Sequence, residues 1–324
     1  MSAETTRFVA AGAVTGRDVE EVHYYLTLSP RQLPSRLLYD ALGSSLFEAI
    51  CLLPWYRITR AEVRLLTNHG AAIGRRVSPT EVVELGCGNS QKLVALVRAL
   101  AEPKPDVHLI DVSREALDRT TQMLRSVGKM RITPVQATYE DGLMQLPASS
   151  AYRRRLILFL GSNIGNFDPP AASAFLHLIR AALGAGDWLL VGVDLLKSER
   201  DLMLAYDDPL GLTAAFNKNL LLRLNTEIGA NFDLDGFGHD VRWNPRASRV
   251  EMHLVSRRRQ DIVVPGPAGS LQFTLELGES IWTESSYKYE PDAFRTLVES
   301  AGLEFRSRWI DDDARFLLAL FEAR

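Results

Sequence analysis

Cysteine is scarce in this chain, with only Cys51 and Cys87 among 324 residues. Two thiols cannot build a disulfide framework, and by themselves they cannot build a metal site. The six histidines are scattered, with no pair at i, i+4 and no acidic cluster at metal-ligand spacing. The sequence therefore predicts a protein without a metal centre.

Long apolar runs and an excess of one charge are also missing. No segment approaches the roughly 20 apolar residues of a membrane span, and the N-terminus lacks the apolar core of a signal peptide. The chain carries 37 basic and 40 acidic residues, a net charge of −3. The arginine triplets at 153–155 and 257–259 lack the interleaved aromatics of a nucleic-acid groove, so we interpret each as a solvated strand or loop end. We expect a cytoplasmic monomer that acts on a small molecule, without membrane or nucleic-acid partners.

Glycine is informative in one stretch, Glu84-Leu85-Gly86-Cys87-Gly88-Asn89-Ser90. Val82, Val83 and Leu85 predict a short buried strand at 82–85. Helical spacing then follows at Leu93, Leu96, Val97 and Leu100. Glycines between a strand and a helix let a ligand approach the main chain closely, and Asn89 or Ser90 is predicted to cap the helix. We interpret the stretch as a nucleoside-binding turn, with a plain tight turn as the alternative.

The residues around the turn favour S-adenosylmethionine over a dinucleotide. Gln91 occupies the position of the third glycine of the dinucleotide fingerprint. The acidic Glu84 is tolerable beside the cationic sulfonium and awkward beside a pyrophosphate. Asp111 ends the next predicted strand, 111 − 86 = 25 residues after Gly86, where a carboxylate can accept both ribose hydroxyls. A nicotinamide oxidoreductase and a non-catalytic nucleoside-binding domain remain alternatives, as does Asp111 as a helix cap.

Strand and helix patterns alternate through the middle of the chain. Strands are predicted at 81–85, 107–111, 132–136, 156–160 and 188–193, and helices near 91–101, 114–127 and 170–183. After a helical stretch at 198–225 and strands at 248–256 and 271–277, a helix near 291–301 precedes strands near 303–309 and 315–322. We predict an α/β fold with a doubly wound, mostly parallel, Rossmann-like sheet of seven strands, closed by an antiparallel hairpin.

Two regions interrupt the α/β alternation. Residues 1–60 contain short helices punctuated by prolines, and 196–286 mix helix with alternating strands. We predict that these regions form a smaller α+β substrate-binding or lid domain across the carboxyl ends of the strands. The nucleoside-binding domain then consists of 61–195 and 287–324.

Several polar or aromatic residues stand out as site candidates. The loop at 161–167 contains two glycines and two asparagines at the end of a buried strand, a composition suited to presenting amides to a ligand. Tyr39, Tyr56 and Tyr206, each taken alone, read as packing tyrosines. Glu284 and Ser286 are two residues apart and share one face of an extended segment, where they can hold an imidazole or an amine.

Seven segments together carry a resemblance to a known family. They are LYDALGS (38–44), PWYRITRAE (54–62), ELGCGNSQK (84–92), GSNIGN (161–166), YDD (206–208), FN (216–217) and TESSYK (283–288). Through them nearly the whole chain resembles the histidine-specific N-alpha-methyltransferases of ergothioneine biosynthesis, which use S-adenosylmethionine to trimethylate histidine to hercynine. The resemblance implies a class I methyltransferase fold, and a methyltransferase for another amino acid or small amine is the alternative.

The resemblance implies that Gly86, Lys92 and Asp111 contact the cofactor, with Asp111 on the ribose. The family usually has an aspartate that binds the adenine amino group at the end of the third strand of the sheet. Here Thr138 stands at that position, followed by Tyr139, and Asp141 is a substitute.

For the substrate, the resemblance implies two groups of residues. Tyr56, Asn166 and Tyr206 hold the amino and carboxylate groups of histidine, and Glu284 and Ser286 hold its imidazole. Tyr39 lies near the amine. Catalysis would then rest on Tyr39, Tyr56 and Asn166.

Overall fold

The computed structural model describes residues 14–88, 90–148 and 153–324. Within these ranges the strands are β1 (Arg31–Gln32), β2 (Glu81–Leu85), β3 (Asp106–Asp111), β4 (Ile132–Gln136), β5 (Arg155–Phe159), β6 (Trp188–Asp194), β7 (Phe237–Asn244), β8 (Arg249–Ser256), β9 (Gln260–Val264), β10 (Leu271–Leu275), β11 (Ser280–Tyr287), β12 (Leu303–Asp311) and β13 (Phe316–Ala323). The helices are α1 (Gly16–Thr27), α2 (Ala41–Leu52), α3 (Ile58–Val77), α4 (Gln91–Ala99), α5 (Arg114–Arg125), α6 (Tyr139–Met144), α7 (Pro169–Ala181), α8 (Glu199–Tyr206), α9 (Leu212–Ile228) and α10 (Pro291–Ser300).

Seven strands form the central sheet, in the order β12-β13-β6-β5-β2-β3-β4. From β6 to β4 all neighbours are parallel, whereas β13 is antiparallel to both β6 and β12. The mostly parallel sheet with a closing hairpin confirms the predicted Rossmann-like class I methyltransferase fold. The order turns back between β2 and β5, and in such sheets ligands bind at the carboxyl ends of the strands next to this point.

Alternate residues of the inner strands enter two separate apolar cores. Val82 and Leu156 belong to a cluster on one face, whereas Val83 and Ile157 belong to a cluster on the other. Every residue of β2, β5 and β6 is buried, as expected where helices cover both faces of a parallel sheet. The near-continuous apolar runs in the sequence therefore correctly predicted that these strands are buried on both faces.

The observed boundaries lie close to the predicted ones in the α/β region. The helical stretch at 198–225 is instead two helices, α8 and α9, separated near Asp208. The Asp208 carboxylate accepts the backbone N–H groups of Leu210, Leu212 and Thr213, which ends one helix and starts the next. The sequence analysis did not predict β7 and β9.

A second sheet contains four strands in the order β1-β11-β8-β7. Strand β1 is parallel to β11, while β8 is antiparallel to both β11 and β7. Strands β9 and β10 form a separate antiparallel hairpin. The second sheet therefore draws its strands from residues 31–32 and 237–287.

The arginine triplet at 153–155 was interpreted as solvated, and this is wrong for Arg155. Arg155 is 2% exposed, and its Nε lies 2.6 Å from Glu81 Oε2. Its two terminal nitrogens donate to the backbone carbonyls of Ala182 and Pro147. A guanidinium with all of these partners can be buried at the start of a strand.

Three further findings concern the described ranges alone. No helix in 14–88, 90–148 or 153–324 is long and apolar enough to cross a membrane. Within the same ranges no three potential metal-ligating side chains gather at one point. Cys51 and Cys87 are buried free thiols.

Candidate active site

A cavity of about 490 Å³, counting the space open to solvent, lies beyond the carboxyl end of β5. Its lining includes all six residues expected at the substrate: Tyr39, Tyr56, Asn166, Tyr206, Glu284 and Ser286. They come from five separate parts of the chain, and the fold brings them to one place. Gly161, Ser162 and Asn163 of the loop after β5 line the same cavity.

Four aromatic rings pack against one another along one side of the cavity, with three of their four contacts edge to face. The Phe47 ring centroid lies 5.6 Å from Tyr39, 5.9 Å from Tyr56 and 5.9 Å from Phe216. Tyr39 and Phe216 are 5.4 Å apart. Burial raises the pKa values of the Tyr39 and Tyr56 hydroxyls well above 10, so both remain neutral phenols at neutral pH. The sequence analysis missed Phe47, whose helical position in α2 resembles that of any core phenylalanine.

Glu284 lies in β11, directly after a bulge opposite β8. The residue is 9% exposed and lines the cavity. Burial raises the pKa of its carboxyl to about 7, and the nearby Lys288 partly opposes this shift. No described residue donates a hydrogen bond to this carboxyl, so it is available to a ligand.

Ser286 belongs to a buried cluster with Tyr206, Lys288 and Asp194. Tyr206 Oη donates to Ser286 Oγ over 2.7 Å, and Lys288 Nζ lies 2.8 Å from each of these oxygens. Lys288 Nζ is also 3.1 Å from Asp194 Oδ2. Burial opposes the charge on Lys288, but Tyr206 and Asp194 outweigh it and raise the pKa of the ammonium. The sequence analysis assigned no role to Lys288 or Asp194.

Asn217 holds β11 and β7 against α9. Thr283 Oγ1 donates to Asn217 Oδ1 over 2.6 Å, and Asn217 Nδ2 meets His239 Nδ1 at 3.0 Å. His239 Nε2 in turn lies 2.9 Å from the Tyr206 carbonyl oxygen. The FN segment at 216–217 therefore supplies one ring to the cavity and one support behind it.

The glycine turn after β2 adopts the predicted unusual backbone. Gly86 and Gly88 have φ of +85° and +50°. The Cys87 N–H donates to Asp111 Oδ2 over 2.8 Å, and the Ser113 N–H donates to Asp111 Oδ1 over 2.8 Å. Burial raises the pKa of Asp111 against these backbone hydrogen bonds. Asp111 therefore stands beside the turn at the end of β3.

The helix caps near the turn differ in part from the prediction. Ser90 occupies the N-cap position of α4, but its side chain makes no capping bond and meets Thr120 Oγ1 instead. Asn89, the other predicted cap, lies outside the described residues. Ser113 caps α5 through the Ala116 N–H, so Asp111 is not that helix's cap.

Three charged side chains are buried beneath the turn. Glu84 and Glu62 are completely buried, and Lys92 is 9% exposed. Lys92 Nζ lies 3.4 Å from Glu62 Oε2, and both Glu62 oxygens accept the Gly161 N–H. Among the described residues neither carboxylate oxygen of Glu84 has a hydrogen-bond partner, and burial raises its pKa well above 4.5. A buried carboxyl without a hydrogen-bond partner favours its neutral form.

Tyr139 connects the turn to the cavity. Asn163 Nδ2 donates to Tyr139 Oη over 3.3 Å, and a Cβ added to Gly86 would lie 2.8 Å from the same oxygen. Thr138 caps α6 by accepting the Asp141 N–H. Asp141 itself is exposed. The turn, Tyr139 and the loop after β5 thus form one continuous surface.

Comparison with known proteins gives consistent matches. Residues 18–323 match the family model described as histidine-specific methyltransferase, SAM-dependent. The histidine N-alpha-methyltransferase of Mycobacterium tuberculosis is 38% identical over 299 residues, which cover 91% of this chain and 91% of that protein. The histidine N-alpha-methyltransferase of Mycolicibacterium smegmatis is 35% identical over 328 residues, with 99% of each chain covered. Ergothioneine biosynthesis protein 1 of Neurospora crassa is 33% identical over 288 residues, which cover 86% of this chain and 32% of that protein.

Proposed function

The chain belongs to the family of histidine-specific, S-adenosylmethionine-dependent methyltransferases, and from that membership we propose that it trimethylates the α-amino group of L-histidine to hercynine in ergothioneine biosynthesis. One observation supports the substrate most directly. Six residues expected at histidine line a single cavity, although they are far apart in the sequence. We also propose that the protein acts as a cytoplasmic monomer in which Cys51 and Cys87 stay reduced.

We propose that S-adenosylmethionine binds at the turn after β2, and the charge and the backbone of the turn support this. The buried carboxyl of Glu84 lacks a partner among the described residues, and a sulfonium or ammonium nearby would stabilise its charged form. Asp111 would accept the ribose hydroxyls, and Gly86 lets the ligand approach the backbone. Lys92 would reach the cofactor from its pair with Glu62, and Thr138 and Tyr139 would border the adenine. When bound, S-adenosylmethionine supplies an electrophilic methyl group.

The cavity beyond the turn would hold histidine by its two ends. We propose that Tyr56 and Asn166 contact its amino and carboxylate groups, with Tyr39 near the amine. Glu284 and Ser286 would hold the imidazole. Tyr206 was also expected at the amino and carboxylate groups, but its hydroxyl lies 2.7 Å from Ser286 Oγ, which favours a role at the imidazole end.

The residues of the cavity would promote transfer mainly by alignment and exclusion of water. The attacking α-amine must be neutral, and α-amines in peptides titrate near about pH 8. Tyr39 and Tyr56 are neutral phenols, so they can orient the amine lone pair while bulk water takes the proton. Successive methylation creates a fixed cation, and the four aromatic rings can stabilise it.

We further propose that the predicted division into domains describes how the site is assembled. Residues 61–195 and 287–324 would bind the cofactor, and 1–60 and 196–286 would bind the substrate or cover it. Of the second group, residues 14–60 and 196–286 are described, and 1–13 lie outside the described ranges. In support, Tyr39, Tyr206 and Glu284 come from the second group and Asn166 from the first.

Mass spectrometry of histidine incubated with the protein and S-adenosylmethionine tests the function. We expect histidine to gain one, two and finally three methyl groups. Methylation of another amino acid, but not of histidine, in a panel with labelled cofactor would identify the rival methyltransferase. Cofactor binding without any methylated product would identify a non-catalytic nucleoside-binding domain.

A further inference from the structure

Lys288 has no proton left for a ligand. An ammonium has three donors. Those of Lys288 are directed at Asp194 Oδ2 (3.1 Å), Tyr206 Oη (2.8 Å) and Ser286 Oγ (2.8 Å). The Lys288 side chain is completely buried and does not line the cavity. Lys288 therefore reaches a ligand by hydrogen bonds only through the two hydroxyl groups it contacts.

The hydrogen bonds from Lys288 and Tyr206 fix the orientation of the Ser286 hydroxyl. A serine oxygen has two lone pairs and one proton. One lone pair of Ser286 accepts from Lys288 Nζ, and the other accepts from Tyr206 Oη. The remaining proton is free to point into the cavity that Ser286 lines. Ser286 is thus a donor toward the ligand and cannot act as an acceptor.

Glu284 offers the opposite chemistry at the same end of the cavity. An ionised carboxylate only accepts hydrogen bonds, and this one has no donor among the described residues. A neutral imidazole has one N–H and one lone pair, which match Glu284 and Ser286 respectively. An imidazolium would instead direct an N–H at the Ser286 proton.

We propose that Lys288, acting through Ser286, restricts the site to neutral imidazole, with the lone-pair nitrogen at Ser286 and the N–H at Glu284. The inference rests on the proposed function, in which histidine is the substrate. Lys288 is a positioning residue in this scheme, and Asp194 supplies its counter-charge. Histidine with a protonated imidazole is excluded, even though the negative charge of the Glu284 carboxylate would attract it.

Other charged or titratable groups surround the Ser286 and Tyr206 hydroxyls. A pH test must therefore separate the titration of these groups from that of the ligand's imidazole. The groups are Glu284 within β11, Lys288 directly after β11, Tyr206 in α8, Asp194 in β6, and Tyr39 and Tyr56 from the N-terminal region. His239 in β7 has one ring nitrogen at Asn217 and the other at the Tyr206 carbonyl, so neither faces Ser286. Glu284, with a pKa of about 7, titrates in the same range as the ligand.

The test measures histidine binding by calorimetry between pH 7.5 and 5.5, with S-adenosylhomocysteine present so that no transfer occurs. The Glu284→Gln variant removes the carboxyl that titrates in this range and keeps an acceptor oxygen. In that variant we expect affinity to fall about tenfold for each pH unit below the imidazole pKa of about 6.5. Triazolylalanine, whose ring stays neutral over this range, should bind with nearly constant affinity.

Two further substitutions test whether the loss of histidine affinity at low pH depends on Lys288. In Glu284→Gln/Lys288→Met one lone pair of Ser286 is free, so the loss of affinity at low pH should largely disappear. Glu284→Gln/Lys197→Met is the matched control. Lys197 Nζ also pairs with Asp194, at 2.5 Å from Oδ1, and has no contact with either hydroxyl. The control should retain the loss of affinity at low pH.

The outcomes distinguish a failure of this inference from a failure of the proposed function. Histidine affinity that stays constant down to pH 5.5 in Glu284→Gln overturns the inference, as does an unchanged pH profile in the Lys288→Met double variant. If the latter does not fold, Glu284→Gln/Ser286→Ala takes its place, because it removes the hydroxyl donor itself, and an unchanged pH profile in that variant overturns the inference. Absence of histidine binding to the unmodified protein at pH 7.5 contradicts the proposed function instead.

Discussion

Glu62 and Lys92 form a buried ion pair, with Oε2 and Nζ 3.4 Å apart. Glu62 belongs to α3 and Lys92 to α4, and the Glu62 oxygens also accept the Gly161 N–H from the cavity loop. A Cβ at Gly192 would lie 1.8 Å from Glu62 Oε1, so β6 leaves room for the carboxylate only because it has glycine there. One carboxylate thus connects α3 with α4, with the loop after β5 and with the central sheet.

Replacing Glu62 by alanine should destabilise the protein strongly. The substitution leaves the Lys92 ammonium without its partner and the Gly161 N–H without an acceptor. Loss of one member of a buried pair costs about 3–5 kcal/mol of the free energy of unfolding. Chemical denaturation measures this loss.

The matched control for Glu62→Ala is Arg114→Ala. Arg114 pairs with Asp118 at 3.1 Å, but both side chains are at least 60% exposed. An exposed pair of this kind contributes only about 0.3–0.5 kcal/mol. Equal losses in the two variants would show that the Glu62 pair has no special structural role.

Glu284→Ala should abolish histidine turnover while cofactor binding persists. The variant removes the acceptor for the imidazole N–H, and a site built to pair a polar group discriminates strongly through that pairing. Steady-state kinetics with histidine, together with calorimetry of the cofactor, measure the two effects. Glu276→Ala, which removes an exposed carboxylate before β11, is the control and should leave both unchanged. Unchanged kinetics in Glu284→Ala would contradict the assignment of histidine as the substrate.

The sheet could be predicted from the sequence because its signals are local. The apolar runs of β2, β5 and β6, the helical spacing of α4 and the glycines at 86 and 88 all lie in short windows. The cavity residues, in contrast, could not be predicted from local signals. Their assignment came from resemblance to the known family, because nothing local in Tyr39 or Tyr206 distinguishes them from packing tyrosines.

The missed residues act through partners that are distant in the sequence. Lys288 and Asp194 meet only after β11 is brought against the central sheet. Arg155 was assigned to the surface because its partner Glu81 lies 74 residues away. A charged side chain carries no local sign of whether it will be buried with a counter-charge, so periodicity and composition could not identify these pairs.

The pKa of Glu284 predicts a pH dependence of stability in the ligand-free protein. Its folded-state pKa is about 7, above the ordinary 4.5, because burial favours the protonated form. The resulting stabilisation is fully present below about pH 4.5 and is lost as pH rises through 7. The difference corresponds to at most about 3 kcal/mol. Glu284→Gln does not titrate, so the wild type should lose stability relative to this variant between pH 4.5 and 7.5 in denaturant titrations; a constant difference would contradict the raised pKa.

Asp111→Ala should weaken S-adenosylmethionine binding. The variant removes the proposed acceptor of the ribose hydroxyls and also the acceptor of the Cys87 and Ser113 N–H groups. Hydrogen bonds to a charged group contribute about 1.5–3 kcal/mol, so Kd measured by calorimetry should rise about ten- to a hundredfold. Asp118→Ala, an exposed change on α5, should leave Kd unaltered. Unaltered affinity in Asp111→Ala would remove the ribose role.

Phe47→Leu should weaken binding of the trimethylated product through loss of a ring. Phe47 is in contact with Tyr39, Tyr56 and Phe216, and leucine preserves much of its volume without an aromatic face. A cation–π contact contributes about 0.5–2 kcal/mol, so product affinity should fall about two- to thirtyfold. Tyr39→Phe keeps its ring and should bind the product nearly as well as the wild type does. An uncharged isostere with a tert-butyl group in place of the trimethylammonium separates charge from packing: Phe47→Leu should reduce its affinity less than that of the cation. Equal losses for both ligands would mean that the ring contributes by packing alone.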